Sequence, residues 1–94
     1  EYKVQNYEYR LASFKKQLSV QQRNYENQLN YYESEGLSLA EEITRVATKS
    51  YDAGEIDFFN YILSLETAKR IWLEYLDALN GYNQTIIQLN YLIL

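Results

Sequence analysis

The chain has 94 residues, with 13 acidic and 9 basic side chains for a net charge of −4, and it contains no cysteine, histidine or proline. This length limits it to one domain, and the missing residue types exclude disulfides, thiolate zinc sites and imidazole bases. The acidic balance argues against nucleic acid as a partner, because phosphate binding needs a basic face.

The first predicted element is a long helix. Nine positions follow one another at alternating steps of three and four, which is typical of a coiled-coil seam. They are Val4, Tyr7, Leu11, Phe14, Leu18, Gln21, Tyr25, Gln28 and Tyr32. The two glutamines are polar positions on this seam, of the kind that fixes register at a cost in stability.

The phase of this pattern shifts after Tyr32, where the sequence reads SEGLSLAE. Gly36 can end a helix, and Ser38 with Glu41 forms a capping box for the next one. Alternatively, one continuous helix absorbs the shift. We expect a first arm over about residues 1–52 that is kinked or briefly interrupted near Gly36.

A second break is predicted at Gly54, within SYDAGEIDFF. Glycine adopts a left-handed conformation at little cost and so ends the first arm. Glu55 and Asp57 then fall in the first turn of the next helix, where carboxylates meet the positive end of its dipole. A link this short makes the two helices antiparallel, with a tip at about residues 51–57.

The second arm, about residues 57–94, carries a longer seam of apolar or aromatic residues at the same steps. It consists of Phe58, Tyr61, Leu65, Ala68, Trp72, Tyr75, Leu79, Tyr82, Ile86, Leu89 and Ile93. A partial stripe beside it (Ile62, Leu73, Leu76 and Ile87) indicates a second neighbour. Residues 58–94 would lie alongside about 50–14 over about 55 Å, so the first arm extends further.

The predicted fold is therefore all-α: residues 1–94 form a single long antiparallel α-helical hairpin, a coiled coil. Because periodic sequence runs to both ends, we expect a fragment of a larger protein. Apolar stripes meant for neighbours also predict self-association. No apolar run approaches the roughly 20 residues of a spanning helix, so we expect no membrane contact by this piece.

Catalysis is not expected. Without histidine or cysteine there is no nucleophile–base pair, and a thin hairpin offers no pocket for paired carboxylates. Asp52, Glu55 and Asp57 are too few and too close together for a Ca²⁺ loop, so we predict neither a metal nor a cofactor. Eleven tyrosines can stack nucleic-acid bases, but their spacing favours a seam that is wet at its rim.

The tip also carries a motif. Residues 47–65 read ATKSYDAGEIDFFNYILSL, in which Ala47, Tyr51 and Gly54 are similar to the A-x-x-x-Y-x-x-G signature of TolC-like outer-membrane efflux proteins. The segments ETA, EYLDAL and GYNQ further along resemble the family's small-residue and Tyr-Asn spacing. The resemblance is clearest over residues 37–94.

The resemblance implies a trimer with an outer-membrane β-barrel and a periplasmic α-barrel. The hairpin would be the periplasmic portion, and its tip would dock a periplasmic adaptor that leads to an inner-membrane pump. The AGEID and YLDAL segments resemble components that serve heavy-metal and cation pumps of the resistance-nodulation-division (RND) type. The adaptor-binding residues implied are Tyr51, Asp52, Ala53, Gly54, Glu55, Ile56 and Asp57.

The sequence departs from some family members. Asn60 and Leu63 stand where those members carry carboxylates that narrow the pore entrance, and Ile56 stands in place of an arginine. Neither a carboxylate gate nor that ion-pair closure is therefore expected. The alternative is a structural coiled-coil hairpin that mediates oligomerisation and has no transport role. Taken alone, Gly54 fits a simple helix stop as well as a partner contact.

Overall fold

The computed structural model describes residues 2–93, which form two helical arms folded back on each other. The first arm consists of α1 (Tyr2–Tyr31), a π-helical segment (Tyr32–Gly36) and α2 (Leu37–Asp52), and the second arm is α3 (Phe58–Ile93). The described residues contain no strand, and the predicted all-α hairpin is confirmed. Glu1 and Leu94, the predicted ends of the arms, lie outside the described residues.

Hydrogen bonds between tyrosines and glutamates show the antiparallel register of the arms. The hydroxyl of Tyr75 donates to Glu33 at 3.3 Å, and one heptad further along the hydroxyl of Tyr82 donates to Glu26 at 3.4 Å. In the opposite direction, Tyr32 on the first arm donates to Glu74 at 3.1 Å. This register brings the end of α3 beside Phe14, so the start of α1 extends past it, as expected from the arm lengths.

The arms touch along a narrow line in which small residues alternate with tyrosines and aliphatic side chains. On α3 this line follows positions 61, 64, 68, 71, 75, 78, 82, 85, 89 and 92, which again alternate in steps of three and four. Its most buried side chains are those of Ala68, Ala78 and Thr85. The Thr85 hydroxyl is satisfied within the helix, where it donates to the carbonyl of Gly81 at 2.8 Å.

The predicted seam of α3 is partly wrong. Tyr61, Ala68, Tyr75, Tyr82 and Leu89 lie on the contact line, and Leu65, Leu79 and Ile86 are half-buried beside it, whereas Phe58 and Trp72 are 62% and 42% exposed. At every second position the contact line runs one residue before the predicted seam, through Ser64, Ile71, Ala78, Thr85 and Leu92, so Phe58 and Trp72 lie to one side of it. The side chain of Ile93 lies outside the described part of the chain.

The first arm deviates in the same way. Leu18 and Leu29 are buried, and Tyr25 and Tyr32 are half-buried. Other predicted seam positions, namely Val4, Tyr7, Phe14, Gln21 and Gln28, are exposed. The glutamines are therefore not polar positions on the seam. This arm has so few apolar residues that two neighbouring lines, displaced by one residue, satisfy the same alternation.

The first arm does not break at Gly36. Tyr31 and Gly36 both have φ −62°, with ψ −49° and −45°, so the backbone stays right-handed and helical. In the π-helical segment hydrogen bonds close one residue later than in an α-helix. No side-chain hydrogen bond caps α2, so the predicted capping box of Ser38 and Glu41 is wrong.

Gly36 is buried because a tyrosine ring covers it. A Cβ atom at this position would lie 2.8 Å from Cδ1 of Tyr32, the residue that opens the π-helical segment. The Ser34 hydroxyl donates to the carbonyl of Asn30 at 2.7 Å, which satisfies an acceptor where the ordinary ladder is interrupted. The predicted phase shift is thus accommodated by a π turn, with glycine making room for an aromatic ring.

The first prediction concerns Gly81, which lies under the ring of Tyr25: a Cβ at Gly81 would sit 2.5 Å from Tyr25 Cζ. Replacing glycine by alanine inside a helix normally raises the stability of the helix by about 1 kcal/mol. In the unmodified chain we expect Gly81→Ala not to raise the free energy of unfolding, because the new Cβ displaces the Tyr25 ring. In a Tyr25→Ala background, where the ring is absent, Gly81→Ala should raise it. Urea unfolding of the four variants measures this coupling, and equal effects of Gly81→Ala in both backgrounds would contradict it.

The second prediction concerns alkaline pH. Partial burial is the largest cause that raises the pKa of Tyr32 and of Tyr75 above the usual 10.0. A neighbouring carboxylate raises each pKa further: Glu74 acts on Tyr32, and Glu33 acts on Tyr75. Tyrosines of the unfolded chain ionise near pH 10, before Tyr32 and Tyr75 of the folded chain do. The stability that the two neutral tyrosines contribute is therefore fully present below about pH 10 and is lost as the pH rises through their raised folded-state pKa values.

We therefore expect the double variant Tyr32→Phe/Tyr75→Phe to lose less of its melting temperature between about pH 9 and about pH 11 than the unmodified chain does. Thermal melts over this range provide the measurement. Tyr91→Phe, at an exposed position near the end of α3, is the control. Identical slopes for the double variant and the unmodified chain would exclude the linkage.

Candidate partner-docking site at the hairpin tip

The turn after α2 is a Schellman motif. Gly54 has φ +76°, its N–H donates to the carbonyl of Tyr51 at 3.0 Å, and the N–H of Glu55 donates to that of Ser50 at 2.8 Å. A residue with a Cβ atom is disfavoured in this left-handed conformation. Gly54 therefore ends the first arm, as the sequence predicts.

The next helix starts from a side-chain cap. Oδ1 of Asp57 accepts a hydrogen bond from the N–H of Asn60 at 2.8 Å, and its carbonyl accepts one from the N–H of Tyr61 at 3.0 Å. Asp57 is thus the N-cap that precedes Phe58. The prediction that Glu55 and Asp57 lie in the first turn is wrong, because Glu55 belongs to the Schellman turn and is exposed.

Tyr51, the tyrosine of the motif, holds the two arms together at the tip. Its ring stacks on that of Tyr61, with centroids 4.7 Å apart and planes at 9°, and meets Phe58 edge-on at 6.1 Å. The Tyr61 hydroxyl lies 3.4 Å from Oγ1 of Thr48, back on the first arm. This cluster fixes the direction in which the turn points.

The tip leaves apolar side chains and bare backbone open. Phe58 and Phe59 are 62% and 68% exposed, and no heavy atom lies within 4 Å of a Cβ built on Gly54. Of the seven predicted adaptor-binding residues only Ile56 is half-buried; Tyr51, Asp52, Ala53, Gly54, Glu55 and Asp57 are exposed. The hairpin brings these seven together with Phe58 and Phe59, and we call the nine residues the tip surface.

The sequence prediction missed Phe59 as a candidate contact and assigned Phe58 to the seam. The available signal was a pair of phenylalanines directly after an N-cap residue, where successive side chains point in different directions and only one of them could lie on the seam. Aromatic residues, phenylalanine among them, are enriched in protein–protein interfaces.

The tip surface is acidic. Between Lys49 and Lys69 the sequence contains four acidic residues, Asp52, Glu55, Asp57 and Glu66, and no basic one. Two turns before the tip, the Arg45 guanidinium hydrogen-bonds Glu42 and thereby lowers the pKa of that carboxyl. Cationic groups on a partner would therefore be attracted to this end of the molecule.

The described residues offer neither a metal-binding cluster nor a membrane-spanning helix. Among the described residues, no three acidic, cysteine or histidine side chains stand close enough together to hold a metal ion. No helix in residues 2–93 combines the length and apolarity needed to cross a bilayer. The exposed turn with its aromatic pair is the feature best suited to binding.

Comparisons with known proteins add no relative: no family model, no characterised protein and no solved structure matches the chain. The expectation of a TolC-like protein therefore rests on the resemblance of the tip motif alone. The glycine of that motif, Gly54, is the position of the left-handed turn.

The third prediction is that Gly54 and the Asp57 cap stabilise the folded chain without any partner. Gly54→Ala should lower the free energy of unfolding by about 1 kcal/mol, because the new Cβ meets no neighbour and only the positive φ is penalised. Asp57→Ala should cost about 1 kcal/mol through loss of the cap. Glu55→Ala, at an exposed side chain, is the control, and urea unfolding is the measurement. A neutral Gly54→Ala would exclude the left-handed turn.

Proposed function

We propose that this chain is the periplasmic coiled-coil hairpin of a trimeric outer-membrane efflux channel, and that its tip docks a periplasmic adaptor of a tripartite efflux pump. One observation carries the proposal: the Tyr51 and Gly54 motif coincides with the turn at the end of a 75 Å hairpin. A motif of two residues recurs by chance, but its position at the single turn between two long arms is a stricter requirement.

The geometry of the tip is consistent with docking. The two arms form a rod 75 Å long, and binding residues are commonly carried on turns that such scaffolds hold in place. The bare backbone at Gly54 allows another chain to approach closely. Phe58 and Phe59 beside it provide apolar contact area, and they extend the docking residues that the resemblance implies.

The departures from the family restrict the mechanism. Asn60 uses its N–H in the Asp57 cap, and Leu63 is exposed on the second turn of α3, so this region has no carboxylate pair that would narrow a pore. Ile56 is half-buried, where an arginine would supply an ion pair. The proposed role is therefore passive: the hairpin extends the conduit and presents the docking surface.

The proposal extends to the pump. The AGEID and YLDAL segments favour an RND-type system that exports heavy metals or other cations. Docking would occur in the periplasm, where the adaptor links this hairpin to the inner-membrane pump. In this proposal the chain contributes the joint between the proteins, and the pump selects the substrate.

The fourth prediction tests docking with Gly54→Asn in the complete protein that carries this chain. Asparagine tolerates the left-handed conformation, so the turn is kept while a side chain fills the open space above it. We expect efflux and crosslinking to the adaptor to fall by about tenfold or more, as for an obstruction at the centre of an interface. Gln84→Asn, at an exposed site on α3, is the control.

Normal efflux together with normal adaptor crosslinking in Gly54→Asn would refute the docking role. Circular dichroism and thermal melts of the variant would show that the hairpin is still folded. A loss of crosslinking with an intact melting curve is the outcome that supports docking, because it separates a partner contact from a helix stop.

A second candidate is a coiled-coil hairpin that mediates oligomerisation without transport. The exposure of large apolar side chains along α3, among them Trp72, Leu73 and Leu76, favours it. Under this interpretation, substitutions on the side of α3 would abolish function and Gly54→Asn would leave it unchanged. The fourth prediction therefore distinguishes the two candidates.

A further inference from the structure

Four aromatic rings form a continuous line across the two arms, well away from the turn. On α3 the ring centroids of Trp72 and Tyr75 lie 6.3 Å apart. The line then crosses to the first arm, where Tyr32 lies 6.1 Å from Tyr75 and Tyr31 lies 5.4 Å from Tyr32. Each pair meets edge to face, as aromatic rings prefer. We call these four residues the aromatic line, and Trp72 is the one tryptophan of the chain.

The two ends of the aromatic line are open to solvent and its interior is not. Trp72 is 42% exposed and Tyr31 is 50% exposed, whereas Tyr75 and Tyr32 are half-buried between the arms. A small molecule in solution can therefore reach either end directly, while the two interior rings are shielded from it.

Each interior tyrosine donates its phenolic hydrogen to a carboxylate of the opposite arm. The hydroxyl of Tyr75 donates to Oε1 of Glu33 at 3.3 Å, and the hydroxyl of Tyr32 donates to Oε2 of Glu74 at 3.1 Å. A carboxylate placed in this way can take the proton when the phenol loses an electron. Burial first, and the carboxylate second, raises the pKa of both tyrosines, so at neutral pH each phenol keeps its proton until it is oxidised.

We propose that the aromatic line is a relay for one-electron oxidation, which carries an oxidising equivalent from Trp72 to Tyr31. In the interior steps Glu33 and Glu74 accept the phenolic protons. The substrate is a diffusible radical that takes one electron from the exposed indole. This inference does not rest on the efflux function, because it uses neither the turn at Gly54 nor a partner protein.

The first two steps oxidise Trp72 and then Tyr75. The diffusible radical takes one electron from the indole and is reduced, and the indole N–H proton leaves to water, which reaches the exposed ring. One electron then passes from Tyr75 to Trp72, and the indole takes a proton back from water. The phenolic proton of Tyr75 moves to Glu33. Transfer runs in this direction because a neutral indolyl radical is a stronger oxidant than a phenoxyl radical.

The next two steps move the radical across the arms. Tyr32 gives an electron to Tyr75, and its own phenolic proton moves to Glu74. Tyr75 takes its proton back from Glu33. Tyr31 then gives an electron to Tyr32, which recovers its proton from Glu74, and the proton of Tyr31 leaves to water. One phenoxyl radical replaces another, so a reductant such as ascorbate, which supplies one electron and one proton at the exposed Tyr31, draws the radical to this end.

A tyrosine further along α3 shows what distinguishes the relay. Tyr82, one heptad beyond Tyr75, donates to Glu26 at 3.4 Å in the same cross-arm geometry. Within residues 2–93 the ring of Tyr82 belongs to no aromatic pair. It therefore has a proton acceptor but no neighbouring ring with which to exchange an electron, which makes it a matched control.

The fifth prediction uses pulse radiolysis of the 94-residue chain at neutral pH with the azide radical, a one-electron oxidant of indole. We expect the absorption of the indolyl radical to decay while that of a phenoxyl radical appears. The rate should not depend on protein concentration, because the transfer is intramolecular. Tyr75→Phe should lose most of this transfer, since phenylalanine is not oxidised by indolyl radicals. Tyr82→Phe should leave the rate unchanged.

A second pair of variants tests the proton acceptors. Glu33→Gln keeps the size of the side chain and removes the charge that accepts the proton, so transfer from Tyr75 should slow by about tenfold or more. Glu26→Gln, which weakens the equivalent bond of Tyr82, should not slow it. Transfer in the unmodified chain should also be slower in heavy water, because a proton moves together with the electron.

Added ascorbate tests the far end of the relay. In the unmodified chain it should remove the phenoxyl absorption that appears as the indolyl radical decays. Tyr32→Phe and Tyr31→Phe should each slow this removal, because the radical is then held on a half-buried ring. Tyr9→Phe, at an exposed tyrosine outside the aromatic line, is the control and should not slow it.

Indolyl decay as fast in Tyr75→Phe as in the unmodified chain would overturn the relay, and so would a rate that rises with protein concentration. Equal losses in Tyr75→Phe and Tyr82→Phe would overturn it too, because they would reflect the packing of the arms. Equal rates in Glu33→Gln and Glu26→Gln would contradict the role of the carboxylates. Circular dichroism should confirm that every variant is helical. None of these results bears on docking, which Gly54→Asn tests.

Discussion

The packing of two helices along one narrow line is the interaction on which the rest of the molecule depends. Ala40, Ala47, Ala68 and Ala78 are among the most buried side chains, and the Tyr25 ring lies on the backbone of Gly81. A hairpin 22 Å by 16 Å in cross-section can bury only this one line. The remaining large apolar side chains, such as Trp72 and Leu73, therefore lie on the flanks of α3, where they are available to other chains.

The turn obeys a second constraint, which is to reverse the chain within five residues. A Schellman motif at Gly54 ends one helix and the Asp57 cap starts the next, so the N–H groups of Gly54, Glu55 and Asn60 find partners within the tip. The stacked rings of Tyr51 and Tyr61 then close the end of the hairpin. Because the turn is satisfied internally, its outer surface is free to contact another protein.

The features that could be predicted from sequence are the local ones. The hairpin, its turn and the left-handed Gly54 follow from residues within one or two helical turns of each other, and local chemistry decides them. The contact line could not be predicted, because several adjacent lines share the three-four alternation and packing distance chooses among them. Trp72 illustrates this: its spacing placed it on the seam, yet the contact line passes through the neighbouring Ile71 and leaves Trp72 42% exposed. The π-helical segment could not be predicted either. Gly36 suggested a break in the helix, whereas its role is to leave room for the Tyr32 ring.

The central claim is that the tip surface contacts an adaptor protein, and a position-specific crosslink in living cells tests it most directly. A photoreactive side chain at Ala53, which is exposed beside Gly54, should yield a crosslink to a periplasmic adaptor in cells that produce the complete protein. The same group at Gln84, an exposed position well away from the tip on α3, should give much less of that product. Equal yields from both positions, or no adaptor product from Ala53, would contradict the account.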